Sequence, residues 1–310
     1  MNEFELIAAL SATLPTNAKV IAGAGDDCAV LDAGRPGRAL LFKTDAVVEG
    51  IHFLPSAPPE SIGHKALGRA LSDIAAMAGR PVAALVTLGL PRNFDPGLIE
   101  KIYRGMNALA SRYGVAIVGG ETTSNPERLL LSIALLGDVA TAKCVYRSGS
   151  KAGDAIFVTG ELGGSLAGKH LDFEPRLAEA HWLAEHFSIH AMIDLSDGLA
   201  GDLRHLMTGA NLGAELLARN IPISRAARLR EKTESPSKPP LVAALTDGED
   251  YELLFTIAPS EAVALADGWR KEFPKLKLTC IGRMTVAPGL KLRDDHGVRS
   301  IETHGYVHFA

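Results

Sequence analysis

The apolar positions of the chain change period several times, and each change marks an element. The run "ALLFKTDAVV" (39–48) ends in polar residues and predicts a strand. In "SIGHKALGRALSDIAAMAG", Ile62, Leu67, Leu71, Ile74 and Ala78 fall on one helical stripe. "LIEKIYRGMNALASRYG" repeats the pattern with Leu98, Ile102, Met106, Leu109 and Tyr113, and Gly114 is placed to cap it. "VAIVGG" and "LLLSIALLGDV" predict strands. The economical layering is a sheet with two helices on one face, because each helix has a single apolar stripe to bury.

"YRSGSKAGD" concentrates Gly and Ser between two apolar runs and predicts a boundary near residue 145. The expected domains are 1–144 and 145–310, and a length of 310 residues suits two. The second half restarts with the strand "AIFVTG", has helices near 175–187 and 197–208, and returns to strands at "YELLFTI" and "LTCIGRM". "REKTESPSKPP" (230–240) is charged and rich in Pro and Ser, so it is expected to be an exposed, mobile loop.

Composition narrows the setting. A hydrophobic content of 47% suits a globular enzyme, and a net charge of −4 leaves no electrostatic footprint for nucleic acid or an anionic membrane. Three widely spaced cysteines make no disulfide or metal framework, so a reducing cytoplasm is expected. The acidic start "MNEFELIAAL" lacks a basic signal-peptide region. "PVAALVTLGLP" is about half the length of a membrane span.

Five short segments set carboxylates beside glycines or at the ends of apolar runs. They hold Asp26 and Asp27, Asp45, Asp73, Glu121, and Asp194 with Asp197. Each has an ordinary reading, since Asp before Gly is a turn residue and Asp before a helix is an N-cap. Asp73 resists it: it lies at the edge of an apolar helical stripe, in mid-helix, where an unpaired carboxylate is costly if buried. Converging carboxylates repel unless a cation neutralises them, and without a Cys/His cluster hard oxygen ligands point to Mg²⁺. "GGSLAGKH" comes close to a phosphate-binding loop through Gly163, Gly168 and Lys169, but His170 stands where a metal-holding hydroxyl is required. It reads instead as a strand-to-helix turn whose glycines allow close packing, with Lys169 at the surface.

The ordered motifs "GAGDDCAVL", "KTDAVVEGIHF", "ALSDIAAMAGRPVAAL", "GGETT", "RSGSKAGDAIFVTGELGGSLAG", "IDLSDGL" and "DGEDYELLF" make the chain resemble the thiamine-monophosphate kinases over nearly its whole length. They belong to the superfamily of aminoimidazole ribonucleotide synthetase and selenophosphate synthetase. The resemblance implies an α+β fold of two domains. The N-terminal domain would bind ATP and Mg²⁺, and its sheet would form a barrel shared with a second subunit, making a homodimer; the C-terminal domain is α+β. It implies ATP-dependent phosphorylation of thiamine phosphate to thiamine diphosphate by direct in-line transfer. Matched residue by residue, Mg²⁺ would be held by Asp27, Thr44, Asp45, Asp73, Asp194 and Asp197, with Glu121 at the family's Asp position. ATP would be contacted by Gly120, Glu121, Arg147 and Ser196, and the substrate by His52 and Glu249. Arg147, Asp194 and Asp197 would carry catalysis.

Four features depart from the family: "GGET" replaces "GGDT", Lys43 replaces a small hydroxyl, Thr303 stands where an aromatic residue is usual, and the segment between Gly168 and Asp194 is short. The bland alternatives are a linker arginine at Arg147, a packed histidine at His52 and an exposed turn at Glu249 and Asp250. The competing functions are a true P-loop phosphotransferase, a kinase of the same superfamily with a different phosphorylated or nucleoside-like acceptor, and an inactive nucleotide-binding regulator. The chemistry explains the acidic motifs: two anionic substrates repel, and carboxylates that hold metals allow them to meet. The nucleophile is a phosphate oxygen that is already ionised, so no strong general base is required.

Overall fold

The computed structural model describes residues 3–233 and 238–302. The first elements are α1 (Glu3–Ser11), β1 (Val20–Ala22), β2 (Ala29–Asp32), β3 (Arg38–Val48), α2 (Pro59–Ala76), β4 (Arg80–Leu90), α3 (Pro96–Tyr113), β5 (Ala116–Ser124) and β6 (Leu130–Ala140). Then come β7 (Ala155–Thr159), α4 (Lys169–Asp172), α5 (Leu177–His186), β8 (Ile189–Asp194), α6 (Leu199–Ala210) and β9 (Gly213–Leu217). The last described elements are α7 (Arg225–Thr233), α8 (Pro240–Thr246), β10 (Leu253–Ile257), α9 (Ala262–Glu272), β11 (Leu278–Thr285), β12 (Gly289–Asp294) and β13 (Gly297–Ser300).

These elements form two compact units. One comprises Ala18–Cys144 with Gly168–Leu177; the other comprises 3–17, Val145–Ala167 and 178–302. The fold is α+β, with one mainly antiparallel sheet in each unit. Among the described residues no helix is long and apolar enough to cross a membrane.

The first unit has a six-stranded sheet in the order β1-β2-β3-β6-β4-β5, antiparallel except for β4 with β5. Alternation sorts its faces: Ala39, Leu41 and Val47 of β3 and Leu131, Ile133 and Leu135 of β6 are buried. Helix α2 is buried on almost every side rather than along one stripe, and its buried positions include Lys65, Ser72 and Asp73. It ends at Ala76, so Ala78, expected on its stripe, lies beyond the helix, at φ 54°. Helix α3 behaves as expected, burying Ile102, Met106 and Leu109, with Gly114 as a left-handed cap.

The second unit has a seven-stranded sheet in the order β13-β12-β9-β11-β7-β10-β8. Every residue of β7 and β10 is buried, so both faces of the sheet centre are covered. Ile156, Val158 and Leu254 join Leu199, Leu203 and Leu206 of α6 in one core. The opposite alternation stacks Phe157 on Phe255, with ring centroids 5.7 Å apart. The segment 230–240, expected to be a loop, is helical at its edges: α7 runs through Thr233 and α8 starts at Pro240, 238–239 are irregular, and 234–237 lie outside the described residues. A charged, amphipathic helix has the same composition as a solvated loop, and the Ser/Pro cluster outweighed its period.

Two glycines set the α2–α3 crossing. A Cβ on Gly63 would lie 1.8 Å from the Ile102 carbonyl oxygen, and one on Gly105 would lie 1.8 Å from that of Glu60. Alanine is the better helix former by about 0.8–1 kcal/mol. Forcing the helices apart costs about 1–3 kcal/mol or more. Gly63→Ala and Gly105→Ala are therefore each expected to lower stability in denaturant titration, and unchanged or raised midpoints would contradict the close crossing.

Candidate active site

In the six-stranded unit, alternation along β3 turns Lys43 and Asp45 toward α2. Lys43 Nζ donates to Asp73 Oδ1 at 2.9 Å and lies 3.8 Å from Asp45 Oδ1. The mid-helix carboxylate that resisted an ordinary reading thus has a cation beside it. Burial alone would lower the pKa of Lys43, but Asp73 and Asp45 more than reverse this and raise it, which favours the charged ammonium. Asp27 is buried, and it and Asp73 each bring a carboxylate oxygen within 4.8 Å of the other. Burial, followed by Asp73 and Asp27, pushes the Cys28 thiol well above its ordinary value, which leaves it protonated and inert.

Sheet register separates the other expected ligands. Asp45 pairs with Ile133, Ile133 with Val86 and Val86 with Gly120, so Gly120 lies in the same cross-sheet row as Asp45. The next row runs Ala46, Ser132, Thr87, Glu121. Its side chains point to the opposite face, so the structure does not bring Glu121 to Asp45 and Asp73. Glu121 is exposed and accepts from the Thr122 amide at 3.0 Å. Thr44 shares that outer face, its hydroxyl 3.4 Å from Ser132 Oγ.

His52 sits in the turn after β3. Its Nδ1 accepts from the Val48 amide at 3.0 Å, which places the proton of the neutral ring on Nε2. Its carbonyl accepts from Lys65 Nζ at 2.5 Å. Lys65 is fully buried and also meets His170 Nδ1 at 2.7 Å. His170, the residue that spoils the P-loop pattern, is therefore a buried partner of α2, whereas Lys169 is exposed as expected.

In the seven-stranded unit, Asp194 ends β8 and is buried. The loop after it carries Ser196 and Asp197 and enters α6. The amides of Asp197 and Gly198 both donate to Asp202 Oδ2 at 3.1 Å. Burial first, then Asp197 and Asp194, push the Asp202 carboxyl well above the usual range, while Arg147 acts in the opposite sense. Arg147 thus belongs to this electrostatic group. Asp197, Asp202 and His205 bring ligand atoms within 4.8 Å of one another. Sequence reading missed Asp202 and His205. Their signal was the spacing after "DLSDG", which returns one face of α6 to the same loop at residues 202 and 205.

Glu249 lies in the loop before β10 with φ 64°, a left-handed conformation rare for a side-chain-bearing residue. Its amide donates to the Ser196 carbonyl at 2.7 Å. Beside it, the amides of Gly163 and Gly164 are spent on Asp250 and Asp247 of the same unit. A P-loop would turn such amides toward phosphate, so "GGSLAGKH" is not one here.

The donor set is made of hard carboxylate oxygens, which suits Mg²⁺ better than zinc. Comparison with known proteins gives the family. The family described as "AIR synthase related protein, N-terminal domain" matches residues 25–139, which defines the class of the six-stranded unit. The thiamine-monophosphate kinase of Rhodopirellula baltica is 41% identical over 88% of this chain and 86% of its own. That of Aquifex aeolicus is 34% identical over 100% and 98%. A solved structure described as "AaThiL complexed with AMPPCP and TMP" has a TM-score of 0.83 and 31% identity, covering 99% of this chain and 97% of its own. The chain belongs to the thiamine-monophosphate kinase family.

Lys43 neutralises part of the charge on Asp45 and Asp73. Replacing it leaves buried carboxylates facing one another, a loss of about 1–3 kcal/mol after allowing for partial exposure. Lys43→Ser is expected to unfold at lower denaturant without divalent ions, and saturating Mg²⁺ is expected to stabilise it more than the parent. Equal Mg²⁺ responses, or unchanged stability without the ion, would contradict this role.

Proposed function

We propose that the protein transfers the γ-phosphoryl group of ATP to thiamine phosphate, giving thiamine diphosphate and ADP, as a cytoplasmic homodimer that uses Mg²⁺. The observation that carries this reading is the buried carboxylate set within a chain that matches the family along its full length. A relative bound to AMPPCP and TMP supports a nucleotide and a monophosphate as the ligand pair.

An oxygen of thiamine phosphate attacks the γ-phosphorus, and the bond from that phosphorus to the β-bridging oxygen breaks. The attacking oxygen is already anionic, so the protein's task is positioning and charge stabilisation. Bound Mg²⁺ would supply neutralisation of the two phosphate groups. Asp27, Asp45 and Asp73 would hold it in the first unit, and Asp194 and Asp197 in the second. Thr44 and Glu121 belong to the expected ligand set and stand on the outer sheet face. Arg147 presents its guanidinium fork to the transferring phosphoryl oxygens. Gly120 and Ser196 contact the nucleotide, His52 the acceptor's phosphate end, and Glu249 its cationic thiazolium ring.

Kinetics test the reading. ADP release is expected to require Mg²⁺ and to be much faster with thiamine phosphate than with other phosphate monoesters or free alcohols. Asp73→Asn is expected to lower kcat/KM by about 10²–10³ through lost charge stabilisation. Tight binding of Mg·ATP without turnover on any acceptor would instead identify a nucleotide-binding regulator, and turnover on another acceptor a different kinase.

The outer sheet face supports the dimer. Phe42 and Leu85 pair with Leu136 and Ala134, two residues apart on β6, so they share that face, and they are 49% and 47% exposed. Val118, on β5, is 63% exposed. Light scattering is expected to give twice the chain mass, and Phe42→Asp is expected to shift it toward the monomer. A monomeric parent at micromolar concentration would exclude the shared barrel.

A further inference from the structure

The one motif that the proposed reaction does not use is the P-loop-like "GGS" at 163–165. Three of its donors meet the acidic loop 247–252. The Gly163 amide donates to both oxygens of Asp250, at 3.1 and 2.9 Å. The Gly164 amide donates to Asp247 Oδ2 at 2.9 Å, and Ser165 Oγ donates to the Glu249 carbonyl at 2.6 Å. Side chains are excluded at both glycines. A Cβ on Gly163 would lie 2.7 Å from the Ala244 nitrogen, and one on Gly164 would lie 2.6 Å from that of Ala227.

The loop they hold is strained. Glu249 and Tyr251 have φ of 64° and 52°, one on each side of buried Asp250. Two left-handed residues so close together persist only where their surroundings over-determine them. The opposite side of the loop is fixed as well, by Glu249 N to the Ser196 carbonyl at 2.7 Å and Tyr251 N to the Leu195 carbonyl at 2.8 Å. The Tyr251 hydroxyl lies 3.4 Å from Glu249 Oε1. The backbone of Glu249 is therefore gripped between two loops, and its side-chain direction follows from that grip.

We infer that Asp250 is a positioning residue for the Glu249 carboxylate, and that the "GGS" segment is the clamp that holds Asp250. This rests on the reading of Glu249 as the contact for the cationic acceptor. Strain at an acidic residue flanked by a buried anchor is a means of aiming one carboxylate. The segment that mimics a phosphate loop therefore serves acceptor recognition, not ATP.

The test is steady-state kinetics of the full chain with ATP and thiamine phosphate. Asp250→Asn is expected to raise KM for thiamine phosphate by about tenfold, equivalent to about 1.4 kcal/mol, while KM for ATP and kcat stay within about twofold. Asp250→Asn is then placed in a Glu249→Gln background, where less than a twofold further rise is expected, because coupled residues are not additive. An equal rise in both backgrounds, or parallel losses in kcat and both KM values, overturns the clamp. Glu249→Gln alone reports separately on the reading of Glu249, which fails if its KM for thiamine phosphate is unchanged. If Asp250→Asn does not fold, Ser165→Ala is read by the same comparison, with a smaller rise expected, and no change in KM for thiamine phosphate overturns the proposal.

Discussion

A carboxylate taken out of water must have a cation or hydrogen-bond donors at hand, and two such carboxylates close together need them more. Both units are organised around that constraint. In the first, Asp73 interrupts the interior of a helix buried on almost every side, and β3 delivers Lys43 to it at 2.9 Å. In the second, Asp202 is buried beside Asp194 and Asp197, and two backbone amides and Arg147 favour its charge. Neither arrangement is well explained as a stabilising device, because apolar residues of similar size would fill the same volumes without desolvating charge. Crowded carboxylates are what a site for divalent cations and phosphates requires.

Regular structure makes the crowding possible. Alternation on β3 sends Lys43 and Asp45 inward and Thr44 outward, so one strand serves both the charged site and the exposed face. Strand β8 ends on Asp194, and the loop after it turns straight into α6, which returns Asp202 and His205 to the same place. The sheets are therefore rulers as well as cores. Their register decides that Gly120 shares a row with Asp45 and that Glu121 does not.

Elements with a clean period were legible in the sequence. Strands β3, β6, β7 and β11 and helices α2, α3 and α6 lie where alternation or a 3.6-residue stripe places them. The strand β4 was seen only as an apolar stretch, because its run is nearly continuous and shows no alternation. Helix α7 was hidden by composition, as its charges read as solvation. Most of the candidate site was visible as acidic residues at turns and strand ends. What was not visible is pairing across long separations: Lys43 with Asp73, Lys65 with His170, and Gly163 with Asp250. No local pattern records such contacts. His170 shows the cost, since it read as a defect in a motif and is instead a buried partner of Lys65.

The central claim is that these carboxylates exist to hold divalent cations against phosphate. Anomalous scattering from crystals grown with Mn²⁺ and a non-hydrolysable ATP analogue tests it most directly. The account predicts Mn²⁺ peaks at coordination distance, about 2.1 Å, from Asp27 or Asp73 and from Asp194 or Asp197. Nucleotide bound with no metal peak at any of these four carboxylates would contradict it.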